Sequence, residues 1–330
     1  GTMTFGEKNE GMWGQIAGVD QEGANAIVER ALAGGVNFFD TANVYSFGES
    51  ERLLGQSLLD LDVPRDEVVI ATKVHGPMGD KPNQRGSSRG HIMDAIEQSL
   101  ENLQLDYVDL YQLHGTDTVT PIDETLRALD DLVSSGLVRY VGVSNWQAWR
   151  IAKALGVSER KDIARFETVQ AYYSIAGRDL EREIVPLMAE EKLGLMVWSP
   201  LAGGLLSGKY GPGAPNEAEG RRKSFDFPPV NTDKAWPIVA AMREIASKHG
   251  SDVATVALAY ILAKPFVMSV IIGASRMDQL EQNLAAVNLQ LDADDLGKLD
   301  EISKLAPEYP GWMLERQGAG RRPAPFKPES

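Results

Sequence analysis

The stretch "GGVNFFDTANVY", Gly34–Tyr45, decides how this chain is read. Two glycines close a helical pattern, the apolar Val36, Phe38 and Phe39 lead into Asp40, and Tyr45 stands five positions further on. A short apolar run between a helix and turn residues reads as a buried strand of a parallel sheet. Such a strand has no use for an aspartate at its end unless that end opens on a working surface.

Counting Val36–Asp40, eight runs of this kind are present; the others are Gly1–Phe5, Val68–Val74, Tyr107–His114, Tyr140–Asn145, Phe166–Ala171, Gly194–Pro200 and Val267–Gly273. Helical patterns such as "HIMDAIEQSLENLQ" and "PIDETLRALDDLVSSG" lie between them, each with an apolar face. Ser46 and Glu49 have capping-box spacing, Pro121 suits a helix start, and Gly136 suits a helix end. Eight strand-helix units in 330 residues point to a single-domain (β/α)8 TIM barrel, a fold of about 250 residues before insertions. A doubly wound sheet is the competitor, but no G-x-G-x-x-G follows the first strand. Gly211 to Trp236 reads as a long loop over one face, and residues 307–330, rich in proline, as an irregular C-terminal tail.

Composition is that of an ordinary globular chain, and its main use is exclusion. The net charge of -14 and pI near 4.8 oppose a nucleic-acid partner, which needs clustered cations. Without cysteine there is no thiolate nucleophile, disulfide or Cys-ligated zinc, and nothing in the sequence calls for a metal. No apolar run approaches the roughly 20 residues of a membrane span, and no charged-then-apolar leader is visible. The expected compartment is the cytoplasm, with no membrane partner.

Catalytic groups of such barrels gather where strands end. Asp40, Tyr45, Lys73 in "VIATKV" and His114 in "YQLHG" would then share one mouth. Taken singly, each has a plainer reading as a cap, a loop aromatic, a solvated strand end or a core histidine. Together they make sense of a lysine set among apolar neighbours, because a buried ammonium needs an anion such as Asp40 beside it. The chemistry is proton donation: Lys73 would lower the pKa of Tyr45, and His114 would orient a carbonyl oxygen.

A cofactor site is legible further along. "GGLLSGKY" nearly matches the phosphate loop of NTPases, with Gly203, Gly208 and Lys209 in register, but Tyr210 replaces the hydroxyl residue that would hold magnesium. Glycines and a lysine after a strand can still cradle a pyrophosphate. Trp198 could stack on a nicotinamide, Ser144, Asn145 and Gln170 could bind a carboxamide, and Gly273, Ser275 and Arg276 precede a helix whose start could hold a phosphate.

With these residues in hand, the chain resembles the aldo-keto reductase superfamily over nearly its whole length. "GTMTFG", "GVNFFDTANVY", "GESERLLGQSL", "VIATKV", "LDYVDLYQLHG", "VRYVGVSN", "VQAYYS", "WSPLAGGLLSGKY" and "IIGAS" with "QLEQN" are similar to its successive motifs in order. The resemblance implies a (β/α)8 barrel that binds NADPH or NADH without a Rossmann motif, with Asp40, Tyr45, Lys73 and His114 as the catalytic tetrad. It implies that Ser199, Pro200 and Leu201 join Gly203, Gly208 and Lys209 at the pyrophosphate, and that Gln279 and Asn283 join Gly273, Ser275 and Arg276 at the adenosine phosphate. It also implies a short N-terminal hairpin ahead of "GTMTFG", which is expected to be missing here. Arg276 puts NADP(H) ahead of NAD(H).

The expected function is an NADP-dependent aldo-keto reductase, converting an aldehyde or ketone to an alcohol, or the reverse, by direct hydride transfer with Tyr45 as general acid. Its partner is a small-molecule carbonyl or alcohol, met by pocket residues that include Trp13 and Phe47. The alternative is an NADPH-binding, redox-sensing regulatory subunit that acts through a protein partner, a role the resemblance to potassium-channel β subunits allows.

Overall fold

Strands and helices alternate along the chain, and the strand order in the sheet is the order in the sequence. The computed structural model describes residues 1–7, 12–212, 222 and 225–318. Seven parallel strands form one sheet: β1 (Phe38–Asp40), β2 (Val69–Val74), β3 (Val108–Leu113), β4 (Val138–Ser144), β5 (Phe166–Tyr172), β6 (Gly194–Trp198) and β7 (Val267–Val270). Helices α1 (Met12–Ile16), α2 (Gln21–Ala33), α3 (Glu49–Asp60), α4 (Arg89–Leu103), α5 (Ile122–Ser134), α6 (Ala148–Lys161) and α7 (Ile184–Glu191) lie before or between successive strands up to β6. Helices α8 (Thr232–His249) and α9 (Val253–Leu262) precede β7, and α10 (Met277–Ala285), α11 (Ala293–Ile302) and α12 (Gly311–Gly318) follow it. None of the described helices is long and apolar enough to cross a membrane.

The expected eighth strand, Gly1–Phe5, is not among the described strands. Met3 and Thr4 turn, and Phe5 and Gly6 form isolated bridges with Val19, so no ladder can run along the sheet. Gly1 and Thr2 nevertheless touch both sheet edges: the Thr2 N–H donates to Asp40 O at 2.9 Å and the Gly1 amino group to Ile272 O at 2.8 Å. Two adjacent residues can do this only if the sheet curls until its edges stand about one strand apart. A cavity of about 250 Å³ lies along that seam, lined by Phe38, Asp40, Met196, Leu258 and Val270 among others.

Period-two alternation sorts the strand residues onto two faces. Ile70, Val74, Tyr111, Leu113, Val141, Val143, Val169, Leu195 and Val197 belong to the large cluster packed under the helices. Ala71, Leu110 and Met196 form a separate inner cluster with Phe38 and Ile271. Above this apolar layer, at the same parity, stand Asp40, Lys73, Gln112 and Gln170. The motif "GESERLLG" serves the outer face. Glu51 is fully buried and accepts from Thr72 Oγ1 at 2.6 Å and Asn102 Nδ2 at 3.0 Å, tying α3 to β2 and α4.

Three local expectations need correction. The Ser46–Glu49 capping box does not form: Gly48, left-handed at φ 89°, is the N-cap of α3, and the Ser46 hydroxyl is buried without a partner among the described residues. The loop from Gly211 ends before Trp236, because α8 starts at Thr232 under an Asn231 cap. The C-terminal tail is not irregular throughout, since 311–318 is helical; residues 319–330 lie outside the described range. Gly136 does end its helix, at φ 80° just past α5.

Gly55 shows how closely α3 and α4 pack: a Cβ there would stand 2.3 Å from Leu103 O and 2.6 Å from its carbonyl carbon. Helix propensity alone makes Gly→Ala favourable by about 1 kcal/mol. Here backbone must move instead, so Gly55→Ala should lose about 2–3 kcal/mol in urea unfolding. Gly156→Ala in α6, with nothing within 4 Å, is the control and should gain stability.

Candidate active site

Lys73 is the fifth residue of β2, pairs in register with Gln112 of β3, and has a fully buried side chain. Its ammonium has three N–H groups and finds three acceptors: Asp40 Oδ1 at 2.5 Å, Thr41 O at 2.8 Å and Tyr45 Oη at 3.2 Å. This is what makes burial of the charge tolerable. Desolvation opposes the ammonium, but Asp40 and then Tyr45 more than offset it, and the Lys73 pKa lies above its ordinary value.

Tyr45 is brought to this ammonium by a strained turn. Ser46 and Phe47 take left-handed φ values of 47° and 53°, and Gly48 follows at 89°. Each non-glycine residue there costs about 1–2 kcal/mol, offset by packing of the ring. Trp13 meets it edge-on with centroids 5.5 Å apart, His114 does the same at 5.5 Å, and Lys73 Nζ lies 4.8 Å from the ring centre. Phe225 packs on the same Trp13–Tyr45 cluster. Phe47 is 55% exposed and lies outside that cluster.

The expected lowering of the Tyr45 pKa is not what the surroundings produce. Burial raises it, and the opposing effect of Lys73 is smaller, so the phenol is held protonated above its ordinary value. His114 moves the other way: burial, then Lys73, then His75 push it well below the usual imidazole range, and it is neutral at pH 7. Among the described residues neither of its ring nitrogens has a hydrogen-bond partner. A protonated phenol and a neutral imidazole beside one ammonium can both donate to an incoming oxygen.

Asp40 is held at both oxygens. Besides Lys73 on Oδ1, its Oδ2 accepts from Gln112 Nε2 at 3.1 Å and from Gln170 Nε2 at 2.9 Å. Gln112 was missed in the sequence, although it stands on β3 two residues before His114, which directly follows that strand, and period two puts both on one face. Gln170, expected at a carboxamide, spends both amide hydrogens on Asp40 and on Gln112 Oε1 at 3.2 Å, which leaves its oxygen without a partner among the described residues.

The other candidate cofactor residues fall into three groups. Ser144, Asn145 and Trp198 come together: Asn145, left-handed at φ 60°, donates through Nδ2 to His114 O at 3.0 Å and Ser144 Oγ at 2.9 Å, and its Oδ1 accepts from Trp198 Nε1 at 3.0 Å. Trp198 also stacks on Phe227, with rings 5.7 Å apart and 5° from parallel, and leans on Tyr172. Neither contact was foreseen, since each depends on loop conformation.

Ser199, Pro200, Leu201 and Gly203 make a tight turn ahead of Gly208 and Lys209. Ala202, Gly203 and Gly204 are all left-handed, and their N–H groups are taken by Ser199 O, Ser199 Oγ and Leu201 O. Arg222 ties this turn to Pro228, donating to Ala202 O at 2.7 Å and Pro228 O at 3.0 Å.

Gly273, Ser275, Arg276, Gln279 and Asn283 gather at the start of α10. Gln279 Oε1 accepts from Ser275 N at 3.1 Å, and Asn283 Nδ2 donates to Gly273 O at 3.4 Å. The fork of Arg276 is directed at Asp278, at 2.9 and 2.7 Å, with both side chains more than half exposed. An exposed pair of this kind is worth at most about 1 kcal/mol.

A parallel sheet that collects a carboxylate, a lysine, a phenol and an imidazole at one set of strand ends is the architecture of an enzyme acting on a small molecule. A family model for the Aldo/keto reductase family matches residues 1–304, and the chain belongs to that family. It is 35% identical over 298 residues to a probable voltage-gated potassium channel subunit beta of Arabidopsis thaliana, covering 88% of this chain and 90% of that protein. It is also 35% identical over 310 residues to the uncharacterized oxidoreductase YrpG of Bacillus subtilis, covering 92% and 90%. Against protein tas of Escherichia coli it is 33% identical over 335 residues, covering 92% and 93%. Membership of this family makes the chain an oxidoreductase of the carbonyl-reducing kind.

The lowered histidines set a pH dependence. His75, His91 and His114 all have depressed pKa values in the fold, with burial the first cause. The unfolded chain takes up these protons below about pH 6.5, so it binds more protons than the native state and stability falls with the pH. Glu51, pushed up by burial, works in the opposite direction. Thermal unfolding followed by circular dichroism should show a Tm lower at pH 5.5 than at pH 7.5 by about 5 °C, and a smaller drop in His114→Asn.

Proposed function

We propose that the protein is an NAD(P)H-dependent reductase of aldehydes or ketones in which Tyr45 is the general acid. One observation carries the reading: all three Lys73 N–H groups are committed to acceptors, one of them the Tyr45 oxygen. The phenol therefore accepts from the ammonium, and its own proton is left for a substrate oxygen. Positive charge beside that oxygen stabilises the phenolate as it forms, while burial keeps it protonated beforehand.

His114, neutral, would donate a second hydrogen bond to the carbonyl oxygen and fix its approach. Asp40 holds Lys73 in place and charged. Trp13 and Phe225 wall the phenol and keep bulk water from it. Read with the family, the seven-stranded sheet is a (β/α)8 barrel in which Gly1 and Thr2 stand at the eighth position.

The residues present suit a nicotinamide dinucleotide. Trp198 offers a ring beside Ser144 and Asn145, whose carboxamide-sized polar edge is already ordered. Ser199 to Lys209 would lie along the pyrophosphate. Gly273, Ser275, Gln279 and Asn283 would hold the adenosine end, with Arg276 facing a 2′-phosphate. A bound dihydronicotinamide supplies the hydride. The likeness to a channel-subunit protein equals the likeness to YrpG, so similarity does not choose between enzyme and regulatory subunit. The complete proton-donor set favours turnover.

Tyr45→Phe should lower kcat for carbonyl reduction by about 10³-fold or more, while the cofactor Kd, read by tryptophan fluorescence, changes less than threefold. Retained turnover would remove Tyr45 from its role. Arg276→Ala should weaken NADPH about tenfold, roughly one charge-assisted hydrogen bond, and leave NADH nearly unchanged; equal weakening of both would remove the 2′-phosphate assignment.

A further inference from the structure

Gln112 is fully buried at the centre of the inner polar layer, and β4 leaves space for it. Its partner in register is Gly142, where a Cβ would come 3.2 Å from Gln112 Cγ and 2.3 Å from Thr168 Oγ1. Its amide makes two bonds, donating to Asp40 Oδ2 at 3.1 Å and accepting from Gln170 Nε2 at 3.2 Å. Gln170 closes the triangle by donating to the same Asp40 oxygen at 2.9 Å. An ionised carboxylate accepts only, so the NH2 ends of both amides must face Asp40. Both hydrogens of the Gln170 amide are thus spent inside the triangle. Its Oε1 is the one atom of that amide without a partner among the described residues.

We propose that Gln112 is a positioning residue that, with Asp40, locks the Gln170 amide with its nitrogen inward and its oxygen as the free end. The site then presents an acceptor at this point, and the ligand group it suits must offer an N–H, as a carboxamide does. A group of the same shape that carries only a carbonyl fits less well. Removing Gln112 leaves Gln170 oriented by its single bond to Asp40 Oδ2, so its amide is held less firmly with the oxygen outward. Gln112 also couples this preference to the proton-donating set, since the oxygen it holds belongs to the carboxylate that fixes Lys73.

The inference rests on the nicotinamide reading, and the test separates the two. NADPH and its 3-acetylpyridine analogue, which lacks the amide N–H, are titrated into full-length wild type and Gln112→Met, a change that keeps the side-chain volume. Wild type should bind the carboxamide form about tenfold more tightly, the worth of one hydrogen bond, and Gln112→Met should narrow the ratio to about twofold. Equal weakening of both forms, with the ratio kept, overturns the positioning role alone. Failure of wild type to bind either form overturns the cofactor reading and this inference with it.

Gln112→Glu covers the case in which the methionine variant does not fold. Protonated, it can donate to Asp40 and accept from Gln170 as glutamine does. Discrimination should therefore be near wild type at low pH and be lost as the pH rises; a ratio independent of pH in this variant also overturns the role.

Discussion

A buried ammonium governs this molecule's working face. Taking Lys73 out of water would cost several kcal/mol without partners, and the fold answers with three acceptors from one stretch of chain: the Asp40 carboxylate, the Thr41 carbonyl and the Tyr45 oxygen. Each requirement passes to the next residue. Asp40, itself buried, needs donors on its second oxygen and receives them from Gln112 and Gln170. Tyr45 must reach the ammonium from beyond the strand, so the turn after β1 accepts two left-handed residues. The polar layer is one connected network above an apolar one, and removal of any member leaves a buried group unpaired.

Burial and charge pull the titratable groups in different directions, and their balance fixes what the site can do. At Tyr45 desolvation outweighs the neighbouring ammonium and the phenol stays protonated; at His114 desolvation and the ammonium act together and the imidazole stays neutral. Both are donors at neutral pH. The start of α10 works under other conditions: Arg276 and Asp278 pair in solvent, where a dianionic phosphate can displace the carboxylate at little cost. The titratable cluster stands where water is excluded, and the Arg276–Asp278 pair where it is not.

Backbone strain is distributed to match. Of the non-glycine residues with positive φ, Asp62, Gln104, Asp162 and Lys192 lie at or just beyond helix C-termini, where such geometry is routine. The others, Ser46, Phe47, His75, Asn145, Ser199 and Ala202, follow the C-terminal ends of strands. Those same turns carry Tyr45, the Trp198 partner Asn145 and the turn expected at a pyrophosphate. Strain is concentrated on the face that holds the site and is supported by the packed sheet beneath.

Much of this was legible in the sequence, for a definite reason. Strand periodicity and helical crossovers follow from local pattern, so six of the eight expected runs became strands within two residues of their limits, Val36–Asp40 shortening to Phe38–Asp40, while Val267–Gly273 ended at Val270. Asp40, Lys73, His114 and Tyr45 could be named because each ends a strand or follows one, and a parallel sheet brings such ends together. The first run failed because two hydrogen bonds at Gly1 and Thr2 do not make a ladder. Three things came only from tertiary structure: the direction of the Tyr45 pKa, the Gln112–Asp40–Gln170 triangle, and the stacking of Phe227 on Trp198. Each depends on how much water is excluded, or on which groups from distant strands and loops meet at an atom. Local pattern fixes the face on which a side chain stands; only packing decides what it touches there and therefore which proton it holds.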